Sequence, residues 1–217
     1  MPPILYLHGF ASGPGSTKGR ALEKLFAAGG VALHRADLTP GPDGFERSTP
    51  LTMLAEAERA LLATGARAVM GSSLGGYLAA VMASRHPAVE RLVLLAPAFR
   101  LFARWSARLT PAQLAGWKRD GLWVDHHATG TRRRIEHRFL EEAATLPEFP
   151  VVEVPVLCIA GRRDETVPLE DVQAFVDRTP TARLVAVDDG HELVASIPRI
   201  HREAADFLAP LLARTVA

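Results

Sequence analysis

The chain has 217 residues, enough for one large domain or at most two small ones, and 48% of them are apolar, so it can bury a substantial core. Its net charge of +1 gives no ground for reading it as a nucleic-acid binder, and its single cysteine, Cys158, excludes an internal disulfide. No stretch approaches the roughly 18 consecutive apolar residues of a membrane span.

The elements follow one another in a regular rhythm. The opening Met1-Pro2-Pro3-Ile4 has no basic n-region, so a signal peptide is not expected and a cytoplasmic location is. Apolar runs at Ile4–His8, Val31–Arg35, Ala66–Met70, Arg91–Ala96, Val156–Ala160 and Arg183–Asp188 read as strands. They are continuous blocks and not alternating ones, which suits parallel strands covered on both faces. Between them the patterns at Thr17–Ala28, Leu51–Ala63, Leu74–Ser84, Leu169–Asp177 and Ile197–Leu212 read as helices. Gly29-Gly30 closes the first and Pro87 follows the third. Alternation of this kind predicts an α/β fold, a three-layer α/β/α sandwich on a doubly wound sheet of about six mainly parallel strands. Cys158, inside an apolar strand, is expected to pack as a small hydrophobe.

One segment breaks the rhythm. Residues 99–150 show no clear strand, hold all three tryptophans (Trp105, Trp117 and Trp123), and carry nine Arg or Lys against six Asp or Glu. A helical insertion between two strands has the form of a lid, so a single domain over 1–217 with 99–150 as its cap is expected. The tryptophans, with Phe99, Phe102 and Phe139, point to an apolar acyl pocket. Arg132-Arg133-Arg134 is an exposed charge run that, set in a lid, would attract an anionic ester.

Gly71-Ser72-Ser73-Leu74-Gly75 lies between a strand run and a helix run. A G-x-S-x-G in that place is a nucleophile elbow, a turn so tight that glycine is needed two residues either side of the serine. A serine hydroxyl is a poor nucleophile near neutrality and needs a base, which needs an orienting acid. Asp164 follows the strand Val156–Ala160, and His191 follows the strand Arg183–Asp188, each just past the carboxyl end where parallel sheets place their sites. Ser73, Asp164 and His191 therefore make a candidate triad, with Glu165 and Asp188 as fallback acids. The backbone N–H groups of Leu74 and Phe10 are candidate oxyanion donors, each worth about 3 kcal/mol in such sites. His8 reads as a structural hydrogen-bonder of the loop after the first strand.

Two further signals are set aside. Gly13-Pro14-Gly15-Ser16-Thr17-Lys18-Gly19 has the wrong order for a phosphate loop and reads as the turn and N-cap of the first helix. Asp125-His126-His127 does not have metal-ligand spacing and reads as a solvated lid loop. No metal and no organic cofactor is expected.

Leu7-His8-Gly9-Phe10, Gly71-Ser72-Ser73-Leu74-Gly75-Gly76, Asp164 before Thr166-Val167-Pro168, and Asp189-Gly190-His191 together resemble the α/β-hydrolase superfamily. Within it the chain resembles the compact bacterial serine esterases and thioesterases, whose opening also runs strand, His-Gly-Phe, then a loop with Ser and Lys, here Ser16-Thr17-Lys18. It is also similar to the acyl-protein thioesterase and acyl-glucuronide esterase group. The resemblance implies a reduced α/β-hydrolase fold without the usual leading antiparallel pair. It implies an enzyme cleaving a small-molecule carboxylic ester or thioester through an acyl-enzyme on Ser73. A cofactor-free perhydrolase and a non-catalytic ligand-binding protein of the same fold are the alternatives.

Overall fold

A computed structural model describes residues 3–213; Met1 and Pro2, on which part of the expectation for the N-terminus rests, lie outside it with residues 214–217. Six parallel strands form one sheet: β1 (Ile4–Leu7), β2 (Leu33–Arg35), β3 (Ala68–Ser72), β4 (Arg91–Leu95), β7 (Val156–Gly161) and β8 (Ala182–Val187), in the spatial order β2-β1-β3-β4-β7-β8. β1, β3 and β7 are buried along their whole length, as continuous apolar blocks require. The chain runs outward from the centre in both directions, so the strands on either side of β1 and β3 all deliver their carboxyl ends to one edge.

Each strand pair is joined by a helix, as parallel pairing demands. α1 (Thr17–Ala28) and α8 (Ile197–Leu212) cover one face, packing Leu22, Phe26, Ile200 and Leu208 onto Ile4, Met70 and Val93. α2 (Pro50–Thr64), α3 (Leu74–Ala83) and α7 (Leu169–Val176) cover the other, with Leu54, Leu78 and Val172 against Leu5, Val69 and Leu94. The result is the expected three-layer arrangement, with a separate apolar core on each side of the sheet. α1 is capped by Ser16, whose hydroxyl accepts the N–H of Gly19 at 3.2 Å, so the Gly13–Gly19 stretch is a turn and cap as predicted.

Residues 99–150 differ from the expectation of an all-helical insertion. α4 (Leu101–Arg108), α5 (Pro111–Asp120) and α6 (Arg138–Ala143) are there, but a hairpin of β5 (Leu122–His126) and β6 (Thr131–Ile135) stands between α5 and α6. Its strands turn Trp123 and Asp125 of β5 and Arg132 and Arg134 of β6 outward, so neither carries the buried apolar block that marked the strands of the sheet. Asp125 and His126 fall on opposite faces of β5, the first exposed and the second buried edge-on against Phe45. The solvated loop expected there is therefore a strand and its turn. Trp117 is 1% exposed and its Nε1–H donates to the Ile135 carbonyl at 2.9 Å, fastening α5 to β6; truncating so buried an indole costs about 3–5 kcal/mol.

Candidate active site

Ser73 stands in the one-residue turn between β3 and α3, at φ 53° and ψ −118°. That region is sparsely populated by L-residues, and the surroundings hold it there. The Ser73 N–H donates to Leu95 O at 2.8 Å, and its carbonyl accepts from Ala98 and Tyr77, each at 3.0 Å. A Cβ on Gly71 would lie 2.3 Å from Gly75 O, and one on Gly75 would lie 2.3 Å from Leu7 O. Gly71 is thus required by the backbone of Gly75, and Gly75 by the backbone at the end of β1; neither is required by the serine side chain between them.

The expected partners meet at this point. His191 Nε2 is 3.0 Å from Ser73 Oγ, and His191 Nδ1 is 2.8 Å from Asp164 Oδ2. Asp164 Oδ1 accepts the N–H groups of Thr166 and Val167, both at 2.8 Å. Burial pushes its carboxyl up, but the hydrogen bonds from His191, Val167 and Thr166 outweigh this and hold it below the usual carboxylate range. Glu165 and Asp188, the fallback acids, are both exposed, and Asp188 pairs with Arg163 at 3.0 Å. Asp189, which the sequence did not single out, shapes the histidine loop. Its two oxygens accept from Gly190 at 2.8 Å and from Ser196 at 3.0 Å, tying the loop to the start of α8.

Leu74 opens α3, so its N–H has no acceptor within the helix, and the residue lines the cavity above Ser73. Phe10 lies beside it in the loop after β1, followed by Ala11 at φ 50°. Gly9 comes close under Ser73, since a Cβ there would be 3.3 Å from the serine Cβ. His8 is 1% exposed; its Nδ1 bonds to Gly9 O at 2.9 Å and its Nε2 accepts from Leu38 N at 3.2 Å. Both ring nitrogens are used as the neutral imidazole, and burial lowers its pKa. This is the structural role expected of it.

A cavity of about 850 Å³ opens over Ser73 and His191. Phe99, Leu101, Trp105 and Leu122 of the insertion line one end. Of the aromatics expected there, Phe139 is buried behind Phe10 at 5.2 Å between ring centroids, Trp117 lies behind Trp105 at 5.4 Å, and Phe102 and Trp123 face solvent. Arg132–Arg134 do not line the cavity: Arg133 pairs with Glu46 and donates to Pro42 O at 2.7 Å. The cavity's cationic lining consists instead of Lys18, Arg20, Arg104 and Arg108. Lys18 is 6% exposed and its Nζ donates to Ser72 Oγ at 2.9 Å. Burial lowers its pKa to about 8, opposed by Glu192, Asp164 and Asp189. In the sequence it stands out only as the lysine of the Ser16-Thr17-Lys18 loop, one of three lysines in a chain whose cations are otherwise arginine. Cys158 is fully buried in β7, where burial pushes its thiol pKa up, and it plays no part here.

A family profile matches residues 3–208. The chain belongs to the uncharacterised protein family UPF0227. This UPF0227 chain is also 27% identical to the pimeloyl-[acyl-carrier protein] methyl ester esterase of Xanthomonas campestris pv. campestris, over 87% of each chain. Among solved structures it is similar to Est1E from Butyrivibrio proteoclasticus with ferulic acid bound (21% identity, TM-score 0.80, 98% of this chain and 90% of that one). It is equally similar in shape to the alpha/beta hydrolase domain-containing protein 10 of mouse (23% identity, TM-score 0.80, 97% of this chain and 91% of that one). The UPF0227 chain has the α/β-hydrolase fold, in the reduced form with six parallel strands. No helix among its described residues is long and apolar enough to cross a membrane.

Proposed function

We propose that this chain is a serine hydrolase of carboxylic esters, working through an acyl-enzyme on Ser73. The observation that carries the reading is the unbroken relay from Ser73 through His191 to Asp164, mounted on a strained strand-to-helix turn. A relative that is an esterase by name and a fold shared with ester hydrolases support it. Thioesters fall within the same chemistry, since the acyl carbon and the departing group need the same attack and the same proton. Residues 99–150 act as the lid of a single domain, forming the apolar wall against which the acyl chain lies.

In the first half-reaction Ser73 Oγ attacks the ester carbonyl carbon while His191 Nε2 takes its proton. Asp164, held ionised by three hydrogen bonds, keeps the remaining imidazole proton on Nδ1 and stabilises the imidazolium. The oxyanion accepts from the Phe10 and Leu74 amides. Collapse breaks the bond to the leaving oxygen, which receives the proton from His191 and departs as the alcohol. Water then attacks acyl-Ser73 with His191 again as base, and the acid leaves.

A fluorophosphonate probe followed by peptide mapping tests this without knowledge of the substrate. One adduct on Ser73, absent from Ser73→Ala, is expected together with turnover of simple esters. A folded protein that gives no adduct and turns over no ester overturns the assignment.

A further inference from the structure

The two ends of the cavity are chemically unlike. Toward the insertion the wall is largely hydrocarbon and aromatic, from Phe99, Leu101, Trp105 and Leu122; its two cations are already engaged, Arg104 with Asp171 and Arg108 with the Glu165 and Thr166 carbonyls. Toward α1 it is polar: Tyr6, Ser16, Lys18, Arg20, Ser72 and Glu192. These residues belong to the α1/α8 side of the sheet, and Ser73 sits at the sheet edge between the two ends. The Tyr6 hydroxyl faces Ser16 and Ser72, and burial raises it to about 12, so it is a neutral donor.

Lys18 is the unusual member. It is 94% buried by residue, the complement of its 6% exposure, yet it lines the cavity. Ser72 Oγ takes one of its three N–H groups. Among the described residues no carboxylate lies within ion-pair distance of it; Glu192, Asp164 and Asp189 act only from farther off. A buried ammonium without a counter-ion is costly, and proteins ordinarily pair one. Gly19 brings the helix start onto β1 so closely that a Cβ there would lie 3.0 Å from the Tyr6 ring. The lysine is therefore held in place by the fold and does not reach in from solvent. Exposed Arg20 stands at the rim of the same end.

We propose that Lys18, with the hydroxyls of Tyr6, Ser16 and Ser72, forms a carboxylate subsite beside the nucleophile, so that the preferred substrates are esters bearing a second, ionised carboxylate a few bonds from the scissile carbonyl. The short reach follows from the chain itself: Ser72, which holds Lys18, is the neighbour of Ser73, about 3.8 Å away between Cα atoms. Glu192 on the same end repels an anion that does not reach Lys18 directly. This rests on the reading of Ser73 as the nucleophile. The carboxylate belongs to either the acid or the alcohol part of the ester, and the two sources are separable.

The test uses two matched pairs on the whole chain: monomethyl glutarate against methyl glutaramate for the acid side, and O-acetylglycolate against O-acetylglycolamide for the alcohol side. In one pair the charged member should have kcat/KM about tenfold or more above its amide, the worth of a charge-assisted hydrogen bond. Lys18→Met should bring that ratio to about one through the KM of the charged ester, leaving the amide ester within about threefold. A wild-type ratio near one in both pairs overturns the subsite. Equal losses on both members in Lys18→Met also overturn it, making the lysine a support of the elbow through Ser72. Protection of Ser73 from fluorophosphonate by each member gives the same ratio for an ester that binds without turning over. If Lys18→Met does not fold, the pH dependence of the wild-type ratio decides. Lys18 loses its proton near pH 8, so the ratio should fall above it, and a flat ratio overturns the proposal. Asp164 and Asp189, both held low, stay ionised there and Tyr6, held high, stays neutral; Glu192 and Arg20 are the other charged groups at this end and Arg104 and Arg108 those across the cavity, and His191 serves both members alike. A missing Ser73 adduct sinks the hydrolase reading itself, whereas an adduct without charge preference sinks only the subsite.

Discussion

The backbone N–H of His127 donates to the carbonyl of Ala11 at 2.8 Å. This bond joins the tip of the β5–β6 hairpin to the loop that carries Phe10, the candidate oxyanion donor. Phe10 is held from the same side by rings: Trp105 at 5.1 Å edge-on and Phe139 at 5.2 Å. The insertion therefore buttresses the loop as well as lining the cavity. His127→Pro, which deletes the donor, should lower kcat for any ester about tenfold, less than outright loss of an oxyanion donor. His127→Ala keeps the N–H and should stay near wild type. Equal behaviour of the two variants would show that the bond does not matter.

Ser73→Ala should remove turnover by about 10⁶-fold, since nucleophile and base work as a unit. Ser73→Gly should be as inactive and more stable. Glycine relaxes at φ 53°, where a side chain costs about 1–3 kcal/mol, and the entropy it adds to the unfolded chain returns part of that. The net gain of about 1 kcal/mol should raise Tm by about 2–4 °C over Ser73→Ala. A lower Tm for the glycine variant would contradict the strained elbow.

Asp164→Asn should cut kcat by about 10⁴-fold. An amide N–H facing Nδ1 forces the other tautomer, and Nε2, now protonated, cannot accept the serine proton. The same variant carries a pH signature. The folded-state pKa of Asp164 is depressed, so its contribution to stability is present above the ordinary value of about 3.9 and is lost as pH falls through the folded value. The Tm advantage of wild type over the variant should therefore be constant near neutrality and shrink in acid. Thermal melts across that range check it; an advantage that grows in acid contradicts the assignment.

Gly75→Ala should fold poorly or not at all, because the added carbon meets Leu7 O at 2.3 Å and His8 O at 2.4 Å, both backbone atoms with no freedom to rotate away. A loss of about 4 kcal/mol or more is expected. Gly116→Ala is the opposite case: it lies inside α5 with nothing within 4 Å of the new carbon, so it should gain about 0.5–1 kcal/mol. Denaturant melts of the two variants should move in opposite directions.

Arg132→Glu with Arg134→Glu should leave kcat/KM within about twofold for charged and neutral esters alike, since exposed charges off the cavity act through screened water. Arg133→Glu breaks the pair with Glu46 and should cost about 1 kcal/mol of stability without changing substrate preference. A selective loss on anionic esters in either variant would return substrate recognition to this strand.

The parts of this molecule that could be read from its residues are those in which a backbone constraint demands a particular side chain. The elbow needed its glycines, and the parallel sheet needed apolar blocks and delivered Asp164 and His191 to one edge. Ser16 was readable as a cap for the same reason. The hairpin was hidden because both strands are half exposed and one of them, β6, is mostly arginine, so no apolar block marked them. Lys18 was hidden for a different reason: burial of a lysine is decided by how closely α1 seats on β1, a distance set by Gly19 and Tyr6 together. The crowding of Gly75 by Leu7 and His8 likewise appears only when β1 and α3 are brought together.

Ser73 is tied at both ends of its own peptide unit to the end of β4 and the segment just beyond it, at Leu95 and Ala98, before the insertion begins. The reacting group is thus fixed by the sheet, while the two walls around it are built by different stretches of chain rooted in different cores. Such a layout separates inheritance of the chemistry from inheritance of taste. The lining residues of 99–150 can be regraded, changing what hydrocarbon is accepted, without repacking the helix that carries Lys18, so long as the His127–Ala11 bond, the rings against Phe10 and the Arg108 contacts beside Asp164 are kept. A panel of chains regraded in this way between residues 99 and 150 should differ from one another on that side of the cavity only.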